Sequence, residues 1–140
     1  MNAIHKRRLL ALAALLKKLP PERFNMKYWA GPGWTGDETL SCGTTACAMG
    51  WATTIPEIRR GGLRLVRPGG KWGNGVGQIA WRNRKGEEFQ DEELAGKKVF
   101  GLTPTETSAL FVAPAYLTVI TPKQMAVKIE RFVQNRTRKR

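Results

Sequence analysis

The sequence predicts a mainly α-helical domain of the α+β kind: a compact four- to five-helix unit with a small β-hairpin around residues 63–82. Three observations predict it. Leu9, Leu12, Leu16 and Leu19 recur at helical spacing just ahead of Pro20-Pro21. Two matching helix starts, Thr103-Pro104-Thr105-Glu106 and Thr121-Pro122-Lys123-Gln124, punctuate the C-terminal third. Between these ends, Leu63-Arg64-Leu65-Val66-Arg67 alternates weakly, and Ile79-Ala80-Trp81-Arg82 answers it across a glycine-rich turn.

Each element has its own local reason. Residues 3–19 form a helix that is apolar nearly all round its middle, which places it in the core in preference to a partner's surface. From Phe24 to Asp37, glycines and a proline separate Phe24, Tyr28, Trp29 and Trp34, the pattern of a loop pinned by aromatic anchors. Ser41 offers a cap oxygen ahead of a small-residue helix from about Gly43 to Thr53, before Pro56. Asp91 to Phe100 is helical and stops at Gly101, where a left-handed cap is wanted. The acids Asp91, Glu92 and Glu93 then sit where a helix dipole favours negative charge, which accounts for them without catalysis. In the last helix Met125, Ile129, Phe132 and Val133 make one apolar stripe. A chain of 140 residues fits one domain with a real core, set at residues 1–135, followed by a frayed basic tail over 136–140.

Charge carries most of the functional signal. The net charge is +13 and the pI is near 10.5, so the expected partner is anionic. Between Arg59 and Lys85 lie eight cations, seven glycines and two tryptophans without one Asp or Glu. Such a stretch concentrates polyanions, and an indole among guanidinium groups is a surface on which a base can stack. The candidate nucleic-acid contacts are Arg59, Arg60, Arg64, Arg67, Lys71, Arg82, Arg84 and Lys85, with Trp72 as the stacking residue. DNA and RNA stay open as alternatives. An acidic host protein or a nucleoprotein is the other class of partner that fits a cationic face, and the plain alternative is a basic protein kept soluble by self-repulsion.

Other chemistries find less support. Gly69-Gly70-Lys71-Trp72-Gly73 lacks the hydroxyl residue and the following helix of a Walker loop. It reads either as a flexible phosphate-contact loop or as an ordinary turn with Trp72 packed inward. Cys42 and Cys47 are half a zinc site, and the single histidine, His5, does not complete it. A helix start acidifies a nearby thiol such as Cys42, but a Cys enzyme wants a base, and the lone His5 lies far away in sequence within a basic cluster. The preferred reading makes both cysteines small and structural, with no cofactor, no metal and no catalytic residue. Two cysteines point to reducing cytoplasm. No run reaches the length of a membrane span, and Lys17-Lys18 stand where a signal peptide would be cleaved.

Phe24-Asn25-Met26-Lys27-Tyr28-Trp29, the block Cys42-Gly43-Thr44-Thr45-Ala46-Cys47-Ala48-Met49-Gly50-Trp51-Ala52, Phe100-Gly101-Leu102 and Ala109-Leu110-Phe111 together resemble a group of small bacteriophage and prophage proteins. The resemblance implies an origin in a mobile element and a place in the cytoplasm of a bacterial host. It implies no set of catalytic residues. Small phage accessory proteins commonly bind nucleic acid or block a host protein, including defence nucleoproteins of the CRISPR type.

Overall fold

The computed structural model describes residues 1–26, 45–66, 77–112 and 120–138. The first helix, α1 (Ala3–Lys18), is capped by the Asn2 side chain, whose oxygen accepts from the His5 amide at 2.8 Å. Leu9, Leu12, Ala13 and Leu16 are buried on one side, while Ile4 and Leu10 remain exposed. The helix is therefore a core element with open apolar positions at Leu10 and Ala14 in its middle. After a single turn of tighter helix at Pro21–Arg23, the backbone of Phe24 pairs in parallel with Ala46.

That pairing corrects one expectation. The small-residue helix α2 is Ala48–Ala52, and it begins later than Gly43 because Ala46 is held extended, donating to Arg23 and accepting from Asn25. Cys47, not Ser41, caps it: its Sγ accepts from the Gly50 amide at 3.4 Å. Every residue of α2 is buried, so the small side chains serve close packing as expected. Helix α3 (Pro56–Arg60) follows, with proline in its first turn.

The sheet has three antiparallel strands, β1 (Leu63–Val66), β2 (Gln78–Arg82) and β3 (Glu88–Phe89), in the order β1-β2-β3. The hairpin is as expected, with Leu63 opposite Trp81 and Leu65 opposite Ile79 on the core side. The third strand is an addition. It places Phe89 opposite Trp81 and Glu88 opposite Arg82.

Helix α4 (Glu92–Phe100) starts at an Asp91 cap that accepts from the Glu93 and Leu94 amides, and ends at Gly101 with φ 67°. Helix α5 (Pro104–Thr107) has the full capping box between Thr103 and Glu106 and runs into a wider π-type turn over Ser108–Val112. The same reciprocal bonds join Thr121 and Gln124 at the start of α6 (Pro122–Arg138). Its face of Met125, Ala126, Ile129 and Val133 packs along α1, and Lys17 pairs with Glu130 at 2.7 Å across that seam. Phe132 is only partly buried beside the stripe. The tail expected to fray from residue 136 instead stays helical to Arg138, because Arg136 reaches back to pair with Glu106 at the start of α5. The buried side chains of helices and sheet join one hydrophobic cluster, so the protein is mainly α with a small antiparallel sheet.

Candidate nucleic-acid interface

Where the sheet meets α1, α3 and α4, the chain leaves a cleft of about 320 Å³. It is lined by Arg8 from α1, Arg59 and Arg60 from α3, Arg64 from β1, Arg82 and Arg84 from β2 and the turn after it, and Lys98 from α4. Seven cations thus share one concavity, with Gly61, Gly62, Trp81 and Asn83 completing the wall and no carboxylate among the lining residues.

Backbone carbonyls hold two of these cations, Arg8 and Arg64. Arg8 Nη1 donates to the Val99 carbonyl at 2.8 Å, and Arg64 Nη1 donates to the carbonyls of Arg59 and, at 2.9 Å, Leu63. A carbonyl is a dipole, so it orients a guanidinium without cancelling its charge. Burial depresses the Arg8 pKa from its ordinary value; Glu57 works against that and Arg7 with it. The Arg8 Nε is buried without a hydrogen-bond partner.

Two carboxylates border the cleft. Glu57 is engaged by Arg7 through Nε at 2.7 Å and through Nη2, and that hydrogen bond is the main reason its carboxyl lies below the usual range. Glu88 accepts from Arg82 Nε at 3.0 Å and from Nη2 across the β2–β3 pair. The cationic stretch is therefore not wholly unopposed, as its sequence suggests: an acid from the next strand answers Arg82.

Trp81 is a wall, not an open stacking platform. Its Nε1 donates to the Gly61 carbonyl at 3.0 Å, Phe89 stacks with it at 6.0 Å between centroids, and the Lys98 ammonium lies 5.2 Å from its ring centre. Gly62, at φ 107°, closes the corner: a Cβ there would come within 2.4 Å of the Arg82 carbonyl oxygen.

Of the sequence-predicted residues, Arg59, Arg60, Arg64, Arg82 and Arg84 come together in the cleft. Lys85 is exposed on the adjoining turn, where its amide donates to Asn83 Oδ1 at 3.0 Å. Arg67, Lys71 and Trp72 lie outside the described residues, as does Cys42. Arg8 and Lys98 were missed by sequence reasoning. They lie far from the charged stretch in sequence, and only the packing of α1 and α4 brings them in.

Cys47 is a poor nucleophile in this setting. Complete burial pushes its thiol up to about 12, against hydrogen bonds from nearby amides that favour the thiolate. Among the described residues no three His, Cys, Asp or Glu side chains gather as metal ligands would, and no helix is long and apolar enough to cross a membrane. No protein family, curated protein or solved structure matches this chain.

Proposed function

We propose that this protein binds nucleic acid through the cationic cleft and the exposed cations on its rim, as an accessory protein of phage type. One observation carries the reading: seven cations from five segments of the chain line a single cleft, and none of its lining residues is a carboxylate. Bringing like charges together costs free energy, and a polyanion offsets that cost by releasing its own counterions. Because the contacts offered are guanidinium and ammonium groups rather than base-reading amides, affinity rests on phosphates and carries little sequence preference. The phage-type assignment is supported by the Cys-Gly-Thr block and the blocks around it.

Binding of labelled duplex DNA, single-stranded DNA and RNA across a salt series tests the reading. Tight binding that weakens steeply with salt supports it; no binding near physiological salt removes it.

A second reading is an inhibitor that docks on a host nucleoprotein. The observation favouring it is a groove between α1 and α6, lined by Leu10, Val133, Lys6, Arg138 and Glu130 among others, in which Leu10 stays exposed among charged side chains. Capture of one host complex without affinity for free DNA or RNA would favour this reading over the first.

A further inference from the structure

The depth of the cleft narrows the kind of phosphate it can take. A phosphodiester inside a strand carries chain on both sides, so it meets a protein along open surface. A phosphate monoester carries chain on one side only and can enter a recess. Arg8 and Arg64 are half-buried, whereas Arg60, Arg84 and Lys98 are exposed. The inner guanidinium groups are therefore reached by a group that enters, and the outer cations by one that passes. A volume of about 320 Å³ lies at the small end of ligand sites and suits a single nucleotide better than a longer segment.

The inner wall is also preset. Arg8 is tied to the Val99 carbonyl, and its guanidinium lies against Gly61, where a Cβ would come within 2.8 Å of Cζ and Nη2 and 2.9 Å of Nη1. Gly61 itself has φ −73° and ψ −8°, a conformation open to any residue. What glycine provides at this position is space for Arg8. The Arg8 Nε is buried without a hydrogen-bond partner, so this guanidinium sits partly out of water.

Resting on the nucleic-acid reading, we propose that the cleft receives a phosphate monoester, at the end of a nucleic-acid strand or on a free nucleotide, with Arg8 and Arg64 at depth and Lys98 and Arg84 at the mouth. At neutral pH a monoester carries a charge of about −1.5 to −2, more than a diester carries, and offers three acceptor oxygens to forked donors. Recognition then follows the phosphate and not the base.

The test uses the full chain and one short single strand prepared with either a terminal phosphate or a terminal hydroxyl, followed by anisotropy. The expected preference for the phosphorylated end is about tenfold or more. Gly61→Ala, which keeps every charge but displaces the Arg8 guanidinium, and Arg8→Lys, which keeps the charge but loses the fork, should each weaken binding of the phosphorylated strand more than that of the hydroxyl-ended strand and so erase the preference. Circular dichroism of both variants confirms that they are folded. Competition by a nucleoside monophosphate assigns the site to free nucleotides, and its failure assigns the site to strand ends. Equal, salt-dependent affinity of the wild type for both ends overturns the monoester assignment while nucleic-acid binding stands. Absence of binding to either strand, with no change in tryptophan emission on adding nucleotide, overturns both.

Discussion

The guanidinium of Arg8 occupies the space that a side chain at Gly61 would need, with Cζ 2.8 Å from where a Cβ would stand. This close approach ties the N-terminal helix to the end of α3 and brings a distant cation beside Arg59, Arg60 and Arg64. It also explains how a helix that packs as core on one side contributes to a surface cleft on another. The leucine face of α1 fixes its position, and Arg8, next to buried Leu9, projects where α3, β2 and α4 meet.

The seam between α4 and α5 depends on the absence of a side chain at Gly96. A Cβ there would lie 2.2 Å from Thr107 Oγ1, and Thr107 is fully buried and bonded to the Thr103 carbonyl at 3.0 Å. Gly96→Ala should cost about 1–3 kcal/mol, despite alanine's better helix propensity. A urea-denaturation cycle with Thr107→Ala should show a coupling of about 0.5–3 kcal/mol. Additive effects would place the steric conflict elsewhere.

Thr103 and Thr121 each close a reciprocal cap. In each, the Thr hydroxyl accepts an amide at 3.1 Å while the third residue's side chain accepts the Thr amide at 2.9 Å. Thr103→Ala and Thr121→Ala should each destabilise by about 0.5–2 kcal/mol, read as a lowered melting temperature. The Thr103 change should cost more, because Glu106 also holds Arg136 and through it the end of α6.

His5 and Glu106 should both shape the acid limb of stability, in separate windows. Burial first, then Arg8 and the amino terminus, lower the His5 pKa against a hydrogen bond to the Lys98 backbone. The neutral imidazole is thus the form that the fold favours, and its protonation in the unfolded chain pulls the equilibrium away from the native state. This component of stability is whole above the unfolded value of about 6.5 and is lost as pH falls from there toward the lower folded value. For Glu106, burial acts to raise the carboxyl, but hydrogen bonds from Thr103 and Arg136 overcome it and leave the pKa lowered. Its contribution is present above the ordinary carboxylate value and disappears as pH falls through the folded one. Denaturation midpoints measured from neutral to acid pH should therefore lose the upper step in His5→Gln and part of the lower step in Glu106→Gln, Glu57 with its lowered pKa sharing that window. A His5→Gln profile identical to wild type would contradict the first assignment.

Much of the fold was legible because its signals are local. Caps at Thr103 and Thr121 and the stop at Gly101 depend on residues within one turn, and each lies where its sequence placed it, whereas Asp91, expected as the first residue of α4, is its cap. The start of α2 was misplaced because the Phe24–Ala46 pairing that delays it spans more than twenty residues and leaves no local trace. Strand β3 was hidden inside an acidic run. Glu88 and Phe89 gain strand character only by lying opposite Arg82 and Trp81. The cleft divides in the same way. Its arginines from α3 and the hairpin stand together in sequence, while Arg8 and Lys98 arrive through helix packing. The pairing of Arg82 with Glu88 likewise shows how a stretch without acids can be answered from the next strand.

The central claim is that cations gathered in one cleft hold nucleic acid by its phosphates. The direct measurement is the salt dependence of oligonucleotide affinity for the wild type and for Arg60→Ser/Arg84→Ser/Lys98→Ser, a variant that removes exposed cations and leaves the Arg82–Glu88 and Arg7–Glu57 pairs in place. The account predicts steeply salt-dependent binding by the wild type. In the variant, binding should be weaker and the slope flatter by about one for each phosphate that is no longer neutralised. Binding with an unchanged slope in the variant, or none by the wild type near physiological salt, would contradict it.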